Sequence, residues 1–146
     1  MMAYFTCDTS TIISRKLSDL PDNFLFSSVV FMELMASAQD DSQRRELELA
    51  YRDYAKDNSL IVPSTDDWLM ASKVLFWLTQ GRRRSAKGKS PRLKPGATQR
   101  MALDALIAVS ARRWNTIIIT DNWNDFKAIQ RYCNVKIVKG SEFFKR

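Results

Sequence analysis

The chain has 146 residues, 45% apolar and 27% charged, the composition of an ordinary globular domain that buries one core without disulfides or a structural metal. It contains no histidine, which excludes Ser-His-Asp and Cys-His nucleophile systems, histidine general bases, HExxH zinc sites and two-His iron sites. Its net charge of +7 sits between Gln80 and Ala97, where Arg82, Arg83, Arg84, Lys87, Lys89, Arg92 and Lys94 occur without a single acid while the rest of the chain is balanced.

In chain order, "AYFTCD" is a short apolar run ending in a carboxylate, and "TSTIISRKL" opens a helix on hydroxyl residues. "FLFSS" leading into "VVFMELMASA" repeats this strand-then-helix pattern. "SQRRELELAYRDYAKD" carries Leu47, Ala50, Tyr51 and Tyr54 on one helical face. "LIVPST" is a third short strand, and Thr65, Asp66 and Asp67 open the helix "WLMASKVLFWLTQ". The basic stretch "GRRRSAKGKSPRLKPG", rich in glycine and proline, is expected to form a mobile loop over about residues 81–97. A helix around Asp104, the strand "TIIIT", a helix from about Trp123 to Tyr132 and the strand "VKIV" complete the chain. Strands alternating with helices predict a single α/β domain over residues 1–146, its central parallel sheet covered on both faces in three α/β/α layers.

Cys7 and Cys133 stand near opposite ends with no CxxC spacing, which points to buried filler and a reducing compartment. The opening "MMAYFTCDTSTI" lacks the parts of a secretory leader, and no stretch reaches the roughly 18 apolar residues of a membrane span. A soluble, cytoplasmic protein with no membrane association is expected.

The acids carry the chemistry. Asp8 falls where the first strand ends, the edge at which parallel sheets bind ligands. Glu33 has Val29, Val30, Ala36 and Ser37 as its helical neighbours, a largely apolar face. Asp104 interrupts "RMALDALIAVSARR", apolar nearly all round and therefore a core helix. "IITDNWNDF" places Asp121, Asn122 and Asp125 just past the "TIIIT" strand. Each acid has an ordinary explanation of its own. Asp8 suits a helix cap, Asp104 an ion pair with Arg100, and Asp121 and Asp125 turn or cap positions. Thr9, Ser10 and Thr120 cap helices or end strands by default. Taken together, acids converging on one edge form a site for a hard cation, Mg2+ or Mn2+, with oxygen ligands only, and such a site suits phosphodiester hydrolysis.

Over nearly its whole length the chain resembles the PIN-domain family, in particular the VapC-type toxin ribonucleases of bacterial toxin–antitoxin pairs. The resemblance rests on "YFTCDTSTI", the glutamate of "SSVVFMELMASA", the ordered block "ALDALIAVSARRWNTIIITDNWNDF" and the closing "VKIV". It implies that Asp8, Glu33 and Asp104 are the principal metal-binding acids and that Thr9 or Ser10, and Thr120, are hydroxyls that orient a carboxylate or bound water. The family position two residues after the threonine is Asn122 here, so Asp121, as a metal ligand, and Asp125, as a catalytic acid, are both candidates for the supporting carboxylate. The implied activity is an endoribonuclease in which metal-activated water attacks phosphorus in line. The implied partners are RNA, a cognate antitoxin and a second copy of the chain, with the dimer surface on the early helices. The basic segment departs from the family pattern; it is read as a phosphate-binding arm for RNA. Two rivals differ in class: an RNA-binding module with weak or no catalysis, and a phosphoacceptor with Asp8 as nucleophile. The second is the weaker, because Ser10 stands where another acid is needed.

Overall fold

The computed structural model describes residues 3–85 and 96–144, apart from the side chains of Leu17 and residues 82–85. Its elements are β1 (Tyr4–Cys7), α1 (Thr9–Ile13), a 3-10 turn (Leu17–Asp19), β2 (Phe26–Ser27), α2 (Ser28–Ala36), α3 (Asp41–Lys56), β3 (Leu60–Ile61), α4 (Thr65–Ser85), α5 (Ala97–Arg113), β4 (Thr116–Thr120), α6 (Trp123–Cys133), β5 (Ile137–Lys139) and α7 (Gly140–Phe143). Every strand pairing is parallel, as the alternation of strand and helix predicts. β4 lies between β1 and β5, with Tyr4 opposite Thr116 and Thr120 opposite Lys139. β2 pairs with β3, and the segment just before β2 meets β1 at a parallel bridge, Phe5 to Phe24. Strand neighbours point to opposite faces. Thr6 and Cys7, and likewise Ile118 and Ile119, are all buried, so helices cover both faces of the sheet.

The helix around Asp104 is central. Residues Ala105 to Ala111 of α5 are buried without a break, and the helix packs on α2, α4, α6 and β4. An apolar circumference is therefore what the position requires. By contrast α3 buries no residue completely; Ala50, Tyr51 and Tyr54 rest against the core from outside. Tyr54 and Tyr51 meet Phe26 and Phe31 edge-on, at 5.1 and 5.5 Å between ring centroids. Three helix-to-strand corners use asparagine in the left-handed region, Asn58, Asn115 and Asn134, with φ of 55°, 50° and 52°. Their short side chains tolerate the turn that stops one element and starts the next.

Two expectations are corrected. α4 continues to Ser85, so the basic segment begins inside a helix instead of opening a loop at Gly81. One glycine costs a helix only about 1 kcal/mol, and α4 is held by its packing along α5 and α6. Residues 86–95 of that segment lie outside the described ones. The last strand is Ile137–Lys139 in place of Val135–Val138, because Val135 turns into the core. Among the described residues no helix is long and apolar enough to cross a membrane.

Candidate functional site

Asp8 ends β1 and stands at the N-cap position of α1, yet its carboxylate does not cap the helix backbone. It accepts hydrogen bonds from Ser10 Oγ at 3.0 Å and from Thr11 Oγ1. Thr11 Oγ1 in turn accepts the Asp121 N–H at 2.9 Å, which ties the end of β1 to the end of β4. Asp8 is only 2% exposed, and burial raises its pKa above the usual carboxylate value; the hydroxyls of Thr11, Ser10 and Thr120 oppose that rise. Glu33, half-buried on α2, accepts a hydrogen bond from Thr9 Oγ1 at 2.6 Å, so the two acids flank one α1 turn.

Asp104 reaches the same place from α5. Asp8, Thr9, Ser10, Glu33, Arg100, Asp104 and Asn122 line one cavity of about 300 Å³ at the C-terminal edge of the sheet. Burial first, then the charges of Asp8, Asp125 and Glu33, push the Asp104 carboxyl up to about 7, against a weaker pull from Arg100. The ion pair with Arg100 suggested by the i−4 spacing is not formed among the described residues, so Arg100 stands at the cavity without cancelling Asp104. Excess negative charge is thus the main electrostatic property of the cavity.

Thr120 is buried, and its Oγ1 accepts the Asn122 N–H at 2.9 Å. Asn122 Nδ2 donates to Asp125 Oδ2 at 2.9 Å, which keeps the exposed Asp125 within electrostatic reach of Asp104. Asp121 is drawn away from the cavity: it pairs with Arg15 at 3.2 Å, whose guanidinium lies 4.6 Å from the centroid of Phe144. Gly140 makes this possible, because a Cβ there would collide with the Asp121 carboxylate. Sequence reasoning missed two contributors. Thr11 is signalled by a hydroxyl three residues after Asp8, and Arg100 by its place one turn before Asp104.

The donor set suits a hard cation in type, being oxygen only. Cys7 is not among the lining residues, and burial, followed by the Asp8 charge, pushes its thiol up to about 12. Among the described residues no three acidic or thiol side chains close around a point as a finished ligand shell. Mg2+ keeps several of its waters and needs only one or two carboxylates, so the cavity fits that mode of binding better than full encapsulation. Arg82, Arg83, Arg84, Lys87, Lys89, Arg92 and Lys94 lie outside the described side chains.

No protein-family profile matches the sequence, and no curated protein does. Solved structures match over nearly the full chain. A chain of FitAB bound to an IR36 DNA fragment is 14% identical, with 93% of this chain and 94% of that chain covered and a TM-score of 0.59. A chain of DNA-bound VapBC from Salmonella typhimurium is 15% identical, with coverages of 95% and 99% and a TM-score of 0.56. A chain of VapBC-1 from nontypeable Haemophilus influenzae is 18% identical, with coverages of 94% and 98% and a TM-score of 0.55. The parallel order of the strands, the α5 scaffold under Asp104 and these likenesses agree that the chain has the fold of VapC-type PIN domains.

Proposed function

We propose that this protein is a Mg2+- or Mn2+-dependent endoribonuclease, soluble and cytoplasmic, and the toxin of a toxin–antitoxin pair. The observation that carries the reading is that Asp8, Glu33 and Asp104, delivered by β1, α2 and α5, line one cavity in a PIN-type fold. A bound divalent cation supplies Lewis acidity toward the phosphodiester and its attacking water. Asp8 and Glu33 would hold it with lone pairs oriented by the Ser10, Thr11 and Thr9 hydroxyls, and Asp104 completes the set from the helix opposite. Arg100 offers the only cationic side chain among the described lining residues, placed to meet a phosphate oxygen. Asn122 orients Asp125 as the supporting acid.

The partners follow from two apolar surfaces. A cleft of about 580 Å³ between α1, α2 and α3, lined by Ile12, Ile13, Phe26, Phe31, Leu34 and Tyr54, suits an apolar antitoxin segment. Trp68, Leu69, Phe76 and Trp77 are exposed along one face of α4. About a twofold axis at Ser72 and Lys73 this pattern is its own complement, with Trp68 against Trp77 and Leu69 against Phe76 of a second copy. This self-complementary pattern favours α4 as the homodimer surface, although Ile13, Met32 and Leu49 also leave apolar side chains exposed on the early helices.

Incubation of RNA with Mg2+, Mn2+ or EDTA, for wild type and Asp104→Asn, tests the reading. Cleavage should require the metal and fall at least about a hundredfold in the variant. Undiminished cleavage by Asp104→Asn sinks the proposal, and RNA binding by the wild type with no cutting under any metal establishes the binding module in its place.

A further inference from the structure

Beside the acidic cavity stands a second cluster of opposite charge. Trp123 is the first residue of α6 and follows Asn122 directly, and Asn122 lines the cavity. Two ammonium groups approach its indole: Lys127 Nζ lies 5.5 Å and Lys139 Nζ 5.2 Å from the ring centroid. Lys139 comes from the end of β5, in register with Thr120, so it is at the same sheet edge as Asp8. Both lysines are exposed, and neither forms an ion pair among the described residues. Lys127 has a neutral partner, Gln130 Oε1 at 3.3 Å.

Two like charges gathered on one ring repel each other, and among the described residues no carboxylate pairs with either. A cation–π contact at an exposed site is weak, roughly 0.5–1 kcal/mol, so either ammonium can leave the ring for a better partner. A phosphate is such a partner, and the indole face it vacates accepts a stacked base. A polyanion approaching the acidic cavity needs positive charge close by, and this pair supplies it within the described residues.

We propose that Trp123, Lys127 and Lys139 form a nucleotide subsite for single-stranded RNA: the base stacks on Trp123, and the adjoining phosphate is held by the two ammonium groups. The subsite fixes the strand that the cavity cuts; it thus rests on the nuclease reading for its purpose but not for its existence. Trp123 and the lysines position substrate and do no chemistry.

The test separates the two. Anisotropy of a labelled RNA strand of about 12 nucleotides is followed in EDTA on Asp104→Asn protein, so no cleavage intervenes. Added Trp123→Leu should weaken binding about tenfold, and Trp123→Phe should keep it within about twofold. Lys127→Gln with Lys139→Gln should lower the slope of log affinity against log salt by about 1. In otherwise wild-type protein the same changes should raise KM and leave kcat in place. Unchanged affinity and salt slope in the folded variants overturn the subsite, even if the wild type cuts RNA. Equal weakening by Trp123→Leu toward poly-glutamate, which has charge but no bases, overturns it as well. Trp123-dependent binding without cleavage in any metal supports the subsite while the nuclease reading falls.

Discussion

Replacing Asp104 by asparagine probes the electrostatics of the cavity apart from its chemistry. In the folded chain burial, then Asp8, Asp125 and Glu33, push this carboxyl from 3.8 to about 7. Between those values the folded chain keeps a proton that the unfolded chain has released, so rising pH favours unfolding within the window. The wild type therefore carries no penalty from Asp104 below about pH 4, acquires it up to about pH 7, and bears it in full above. The whole gap corresponds to about 4 kcal/mol. Because the three neighbouring acids share the repulsion and relax around a neutral group, about half of it, ~2 kcal/mol, is the expected gain for Asp104→Asn at pH 8. For a chain of this size that raises Tm by about 5 °C. Urea unfolding followed by tryptophan fluorescence in EDTA, at about pH 4 and pH 8, measures it. The variant should match the wild type at the lower pH and exceed it at the higher, and Mn2+ should remove the difference by stabilising the wild type. An equal gain at both pH values, or a loss at pH 8, refutes the idea of unrelieved charge.

Thr11→Val should cost about 1–3 kcal/mol, because it leaves the Asp121 N–H without its acceptor and Asp8 without one donor. Loss of that donor raises the Asp8 pKa further, so the pH profile of cleavage should move upward; an unmoved profile argues against the role of Thr11. Gly140→Ala should destabilise the fold by about 1–3 kcal/mol by forcing Asp121 off Arg15. Cleavage should stay within about twofold of wild type, and a large loss of kcat would return Asp121 to the metal site. Phe76→Glu should convert a dimer to a monomer in light scattering; a wild type that is monomeric at micromolar concentration rules out the α4 interface.

That Glu33 and Asp104 share a cavity with Asp8 was legible because each stands out against its surroundings. Asp104 stands in a run that buries seven consecutive residues, Ala105 to Ala111, and Glu33 follows the buried Val29, Val30 and Phe31. Period and polarity place such residues on elements, and element order then places the elements on a sheet edge. What stayed hidden depends on contacts far apart in sequence. Asp121 has the same local credentials as Asp125, yet Arg15, over a hundred residues earlier, draws it away. The onset of the basic loop was misplaced because composition suggests a turn at Gly81 while tertiary packing sustains α4 past it. Strands of two residues, β2 and β3, carry too little pattern to reveal that the segment just before β2 meets β1 at a bridge.

The asparagine corners at 58, 115 and 134 all precede strands, so they occupy the edge of the sheet opposite Asp8 and Thr120. The asparagine corners gather at one rim and the acidic cavity at the other, with the buried strands between them. Substitutions that tighten those turns, glycine foremost, therefore offer a route to a sturdier chain whose acids remain as unneutralised as before. In this architecture the corner turns adjust stability without touching the acids, whereas the acids themselves cost stability through the charge they crowd together.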